Sequence, residues 1–126
     1  MWETTDLGSE DLLWAATNFV GGIASQREGV CGALSGASIF LGLYHRVPLS
    51  NKAQADKARN SAREKARELV LSFAREHGNI ICGKLTGIDF YDTAALQRFR
   101  DSGEWMRKCV GYVQYVIKKL YELETI

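Results

Sequence analysis

The sequence predicts an all-α fold: one domain over residues 1–126, a bundle of about five helices with a glycine-rich loop ahead of the second. Three observations carry this. Apolar residues recur at helical spacing in most segments. The stretch KAQADKARNSAREKARELVLSFAREH is built almost wholly from good helix formers. No segment alternates apolar and polar residues long enough to make a strand.

The first helix is expected from Glu10, capped by Ser9, with Glu10 and Asp11 suited to its positive end. Leu12, Leu13, Ala16, Phe19 and Val20 give its apolar spacing, and Gly21 and Gly22 stop it. A loop from Ile23 to Val30 follows. The second helix should run from Cys31 or Gly32 to Tyr44, ended by the segment His45 to Pro48. Gly32, Ala33, Gly36 and Ala37 give it a small-residue face that another backbone can approach closely.

Ser50 is read as the cap of a long third helix over 51–76, stopped by Gly78. Its first half offers mostly alanine to a core, while Leu69, Val70 and Phe73 bury the second half. One helical turn is expected from Cys82 to Leu85, and a short helix from Asp92 or Thr93 to Arg100. The last helix spans 102–124 and turns Trp105, Met106, Cys109, Tyr112, Val113, Val116 and Leu120 to one side.

A chain of 126 residues suffices for a single core. Its net charge of +1 argues against a strong electrostatic nucleic-acid binder. The longest apolar stretch, Val30 to Tyr44, falls short of the roughly 20 residues a membrane span needs. The acidic start MWETTDLGSEDLL lacks the basic and apolar regions of a signal peptide. The expectation is a cytoplasmic protein without membrane or nucleic-acid partners.

Chemistry centres on Cys31, Cys82 and Cys109, an odd number that cannot pair completely within one chain. A thiol in the first turn of a helix meets unpaired N–H groups and the positive end of the macrodipole, which lower its pKa. That makes Cys31 the first candidate for a redox nucleophile or metal ligand, with a small buried spectator as the alternative. Gly22, Gly29 and Gly32 would let backbone N–H groups approach the sulfur or a cofactor beside it. Cys82, followed by Gly83, repeats the setting, and Cys109 lies on or beside the apolar face of the last helix. His45 and His77 fall near helix C-termini, where a protonated imidazole is favoured. There is no Ser/His/Asp pattern, P-loop or H-E-x-x-H.

CGALSG at Cys31–Gly36, CGKLTGID at Cys82–Asp89 and the lone Cys109 together resemble the redox-active family named for its C, GCAxxG, C, C pattern. The likeness runs from about Trp14 to Leu120. It implies that Cys31, Cys82 and Cys109 match the second, third and fourth family cysteines. Family members usually carry an N-C-A-type cysteine on a preceding helix, so three of four thiols are expected here. A related domain in split-Soret cytochrome c is associated with a non-haem iron centre. The resemblance therefore implies either a [2Fe–2S]-like cluster on Cys31, Cys82 and Cys109 or thiol–disulfide exchange among them. A cluster normally takes four protein ligands, so His45, another residue, a partner chain or an exogenous ligand would complete it. No haem-attachment C-x-x-C-H occurs, so haem is not expected. A different class remains open: a non-catalytic helical dimerisation module whose cysteines only pack. A dimer partner or a redox partner protein is expected on either reading.

Overall fold

Helix propensity and apolar spacing produce a helical fold around one main cluster of buried side chains. The computed structural model describes residues 5–124. In chain order its helices are α1 (Asp11–Ala16), α2 (Gly32–Tyr44), α3 (Lys52–His77), α4 (Cys82–Thr86), α5 (Thr93–Asp101) and α6 (Gly111–Glu124). A 3₁₀ turn over Thr17–Phe19 extends α1, and a π-helical turn over Met106–Val110 leads into α6. Among the described residues the only β pairing is an isolated antiparallel bridge, Val30 with Ile81. None of the described helices is long and apolar enough to cross a membrane.

The core joins α2, α3 and α6. Leu34 and Leu41 of α2, Leu69 and Phe73 of α3, and Val116 and Leu120 of α6 pack in one cluster, with Leu85 of α4 at one end. Ala55 is the buried part of α3's alanine-rich first half. At the far end His45 Nε2 lies 2.9 Å from Glu124 Oε1, tying the end of α2 to that of α6. Lys65 of α3 donates there to the Leu123 carbonyl.

Helix ends follow local chemistry, with three departures from expectation. Asn51, not Ser50, caps α3, accepting from Gln54 N–H at 3.2 Å. Ser9 does not cap the first helix: its hydroxyl donates to Asp11 Oδ2 at 3.0 Å, and Glu10 holds the cap position. That helix is also shorter than expected, because it buries no residue and a single short helix is marginal without tertiary packing. The expected stop at Gly78 holds, while α1 closes at Ala16, ahead of Gly21 and Gly22. Gly78 and Gly87 end α3 and α4 at φ of 79° and 73°, where a Cβ would be strained. Asp92 caps α5 through Ala95 N–H at 2.9 Å.

Candidate functional site: a three-thiol cavity

Two loops come together to place the cysteines. Residues 27–31 run antiparallel to residues 80–83. Cys31 N–H donates to Ile80 O at 2.8 Å, Cys82 N–H to Gly29 O at 3.0 Å, and Gly83 N–H to Arg27 O at 2.8 Å. Asn79 Oδ1 fixes the second strand by accepting from Ile80 and Ile81 N–H. Side chains alternate along extended backbone, so Cys31 and Cys82, each just after the bridged pair Val30 and Ile81, point the same way. Cys31 then becomes the N-cap of α2 and Cys82 the first residue of α4. Cys109 arrives from the π-helical turn. Such turns are rare and recur at functional sites.

All three cysteines line one cavity of about 220 Å³. Its other walls are mostly apolar, with Val20, Leu85, Phe90, Trp105, Tyr112 and Val113 among them, and among the described residues no charged side chain lines it. The thiols are free. The Thr86 hydroxyl donates to Cys82 O at 2.9 Å, one helical turn back. Tyr112 donates to Leu85 O at 3.3 Å.

This setting reverses the expected electrostatics. Burial pushes the Cys31 thiol up from its ordinary value, although the N–H groups of Ala33 and Leu34 act in the opposite sense. Cys82 is also raised, by burial first and then by the Cys31 charge, while the Thr86 side chain and Arg27 lower it. Cys109 is raised to about 11, by burial and then by the charges of Cys31 and Cys82. The helix terminus does favour the Cys31 thiolate, but removing the sulfur from water costs more. The three thiols oppose one another's ionisation, and the upward displacement is largest at Cys109.

The glycines serve packing. A Cβ on Gly29 would sit 2.4 Å from Gly22 O, and one on Gly22 would sit 2.7 Å from Gly29 O and 3.0 Å from Cys82 Cβ. Gly29 N–H is spent on Gly22 O at 3.2 Å, so it does not face a ligand. On Gly32 a Cβ would approach Phe19 O to 3.2 Å. Around them the backbone is left-handed from Gly21 through Ser25 and again at Arg27. Ile23, Ala24, Ser25 and Arg27 hold φ between 48° and 71°, at roughly 1–2 kcal/mol each. Tyr91 braces the loop, donating to Ala24 O at 3.1 Å.

Neither histidine joins the thiols. His45 is held by Glu124 and lines a larger cavity, about 400 Å³ between α2 and the first half of α3, which contains no cysteine. His77 is enclosed by Phe73, Tyr112 and Tyr115, with ring centroids 4.4–4.8 Å away. Burial lowers its pKa, the reverse of the helix-end expectation. Among the described residues no three His, Cys, Asp or Glu side chains are grouped to hold a metal ion. With three thiols, apolar walls and His45 engaged elsewhere, the residues present do not fit a four-ligand cluster.

The geometry supplies residues that sequence reading missed. Thr86, four residues after Cys82, carries a spacing signal that was available. Arg27, Phe90 and Tyr112 carried none.

Comparison with known families decides the affiliation. The family described as "Putative redox-active protein (C_GCAxxG_C_C)" matches residues 1–123. The chain belongs to that family. Neither the curated proteins nor the solved structures contain a match to it. The three cysteines of this family member share a single cavity.

Proposed function

We propose that this member of the C_GCAxxG_C_C family is a dithiol–disulfide redox protein whose working couple is Cys31 and Cys82. The observation that carries the reading is the antiparallel bridge, which delivers both thiols to one cavity. In a regular ladder such diagonal neighbours have Cα atoms roughly 7–8 Å apart. A disulfide accepts roughly 4.4–6.8 Å. Closing the bond requires a small local shift, and the resulting strained disulfide is readily reduced. The couple then acts as an oxidant.

A partner thiolate attacks the Cys31 sulfur of the Cys31–Cys82 disulfide. The S–S bond breaks, Cys82 leaves as thiolate and a mixed disulfide remains on Cys31. A second partner thiolate attacks its own sulfur in that mixed disulfide and releases Cys31 as thiolate. The partner departs oxidised by two electrons, and a second, more oxidising disulfide restores the couple by the reverse steps. Cys31 is suited to the role of the attacked sulfur because it is half-buried, whereas Cys82 is buried. Cys109 stays protonated at neutral pH. A cytoplasmic setting agrees with resting free thiols.

The test is incubation of the reduced chain with glutathione disulfide, followed by non-reducing peptide mapping. Cys31 should form the mixed disulfide and then a Cys31–Cys82 link. Cys31→Ser should abolish both. A second reading, a helical interaction module, draws on the apolar groove of Gly32, Gly36 and Phe40 against Val113 and Ile117. It prevails if Cys31→Ser leaves exchange unchanged.

A further inference from the structure

We infer that Arg27 is a positioning residue whose charge, held beside the first turn of α4, favours departure of Cys82 as the leaving thiolate of the couple. The inference rests on the dithiol reading for its purpose, but not for its geometry.

Arg27 occupies an unfavourable place. Its φ is +71°, in the left-handed region. Its Nε is buried and has no hydrogen-bond partner among the described residues. Among the described residues no carboxylate lies within ion-pair distance of it. Surface arginines elsewhere find acids readily, as Arg59 does with Asp56 and Arg107 with Glu104. A buried donor without an acceptor calls for an explanation.

The backbone shows what the position is for. Arg27 N–H donates to Gly21 O, and Arg27 O accepts from Gly83 N–H, both at 2.8 Å. The residue is thereby pinned across the first turn of α4, beside Cys82. A Cβ on Gly83 would lie 3.0 Å from Arg27 Cβ and 3.3 Å from its Nε. Glycine at 83 is what lets the arginine stem lie there. The charge acts on Cys82 in the direction of the thiolate. The other titratable groups acting there are the thiols of Cys31 and Cys109, which oppose ionisation of Cys82. Lys108 acts on Cys109. Arg27 is thus the cation assigned to Cys82. A strained left-handed arginine persists only where its surroundings over-determine it.

The experiment is iodoacetamide alkylation of the full reduced chain across a pH series, with each cysteine peptide quantified by mass spectrometry. Arg27→Gln should slow alkylation of Cys82 about fivefold near neutral pH and move its profile upward. Cys31 should be unaffected, and Arg27→Lys should restore Cys82 to within about twofold, because charge is what acts. Arg27→Met, which keeps an apolar stem and removes the charge, should reproduce the selective slowing if Arg27→Gln fails to fold. Unchanged Cys82 reactivity, equal slowing of Cys31, or failure of lysine to rescue would overturn the assignment. Alkylation needs no disulfide exchange, so this result stands apart from the glutathione test.

Discussion

The two ends of α2 belong to different kinds of structure. At the C-terminal end Leu41 is fully buried among Leu69, Phe73 and Leu120, in regular helices with conventional stops. At the N-terminal end Cys31 rests on a left-handed loop, an isolated bridge, a five-residue helix and a π-helical turn. One end obtains its stability from apolar burial. The other holds backbone strain and thiols made reluctant to ionise. Their difference separates what keeps the chain folded from what the fold positions. Strain of this kind persists only where neighbouring structure compensates for it.

Breaking the regular end should have the largest effect on folding and the smallest on thiol chemistry. Leu41→Ala removes a side chain with no exposed surface. It should cost about 2–5 kcal/mol, a sizeable part of the roughly 5–15 kcal/mol available to a domain. Urea denaturation followed by circular dichroism measures the loss. In the population that remains folded, Cys109 should still be the last of the three thiols to alkylate. A changed order would mean that the two ends are one cooperative site.

Breaking the irregular end should do the opposite. Gly29→Ala places a Cβ 2.4 Å from Gly22 O, against backbone that cannot turn aside. The loop must open, at a cost of about 1–3 kcal/mol. Because α2, α3 and α6 pack elsewhere, helicity should be retained while the Cys31–Cys82 link no longer forms on oxidation. Peptide mapping beside a circular dichroism spectrum checks both. Intact disulfide formation in the variant would show that the bridge does not govern thiol proximity.

The same division explains what could be read from residues alone. The bounds of α2, the Gly78 stop and the α4 turn at Cys82 follow from apolar spacing and glycine chemistry, which are local signals. Ser50 and Asn51 both suit a cap, and only geometry chooses Asn51. At the site, the motif picked out three thiols that share one cavity, yet helix-end reasoning had the sign of the Cys31 displacement wrong. The N–H groups of Ala33 and Leu34 are a local effect, whereas burial depends on Phe90, Trp105 and Tyr112, which arrive from remote segments. Arg27 was invisible for the same reason. Nothing in its residue type announces a left-handed φ, and its neighbour Gly83 is 56 positions away.

The gentlest way to sharpen the comparison uses pH. In the unfolded chain Cys109 releases its proton near its ordinary value of 9.0, and in the folded chain only near 11. Between those values the folded state binds more protons than the unfolded one, so stability falls as pH rises through the window. The contribution is fully present below pH 9.0 and lost at about 11. For a half-buried thiol, with solvent screening allowed for, the loss is about 1 kcal/mol. Lysines and tyrosines also titrate there, so the informative quantity is the slope relative to Cys109→Ala. Thermal melts at about pH 8 and just below 11 should show a shallower alkaline decline in that variant. Leu41→Ala should lower the melting temperature similarly at both pH values, since no ionisable group is lost with it. Parallel declines in Cys109→Ala and the unaltered chain would mean that water reaches Cys109 freely, and the third thiol would have to be moved out of the cavity.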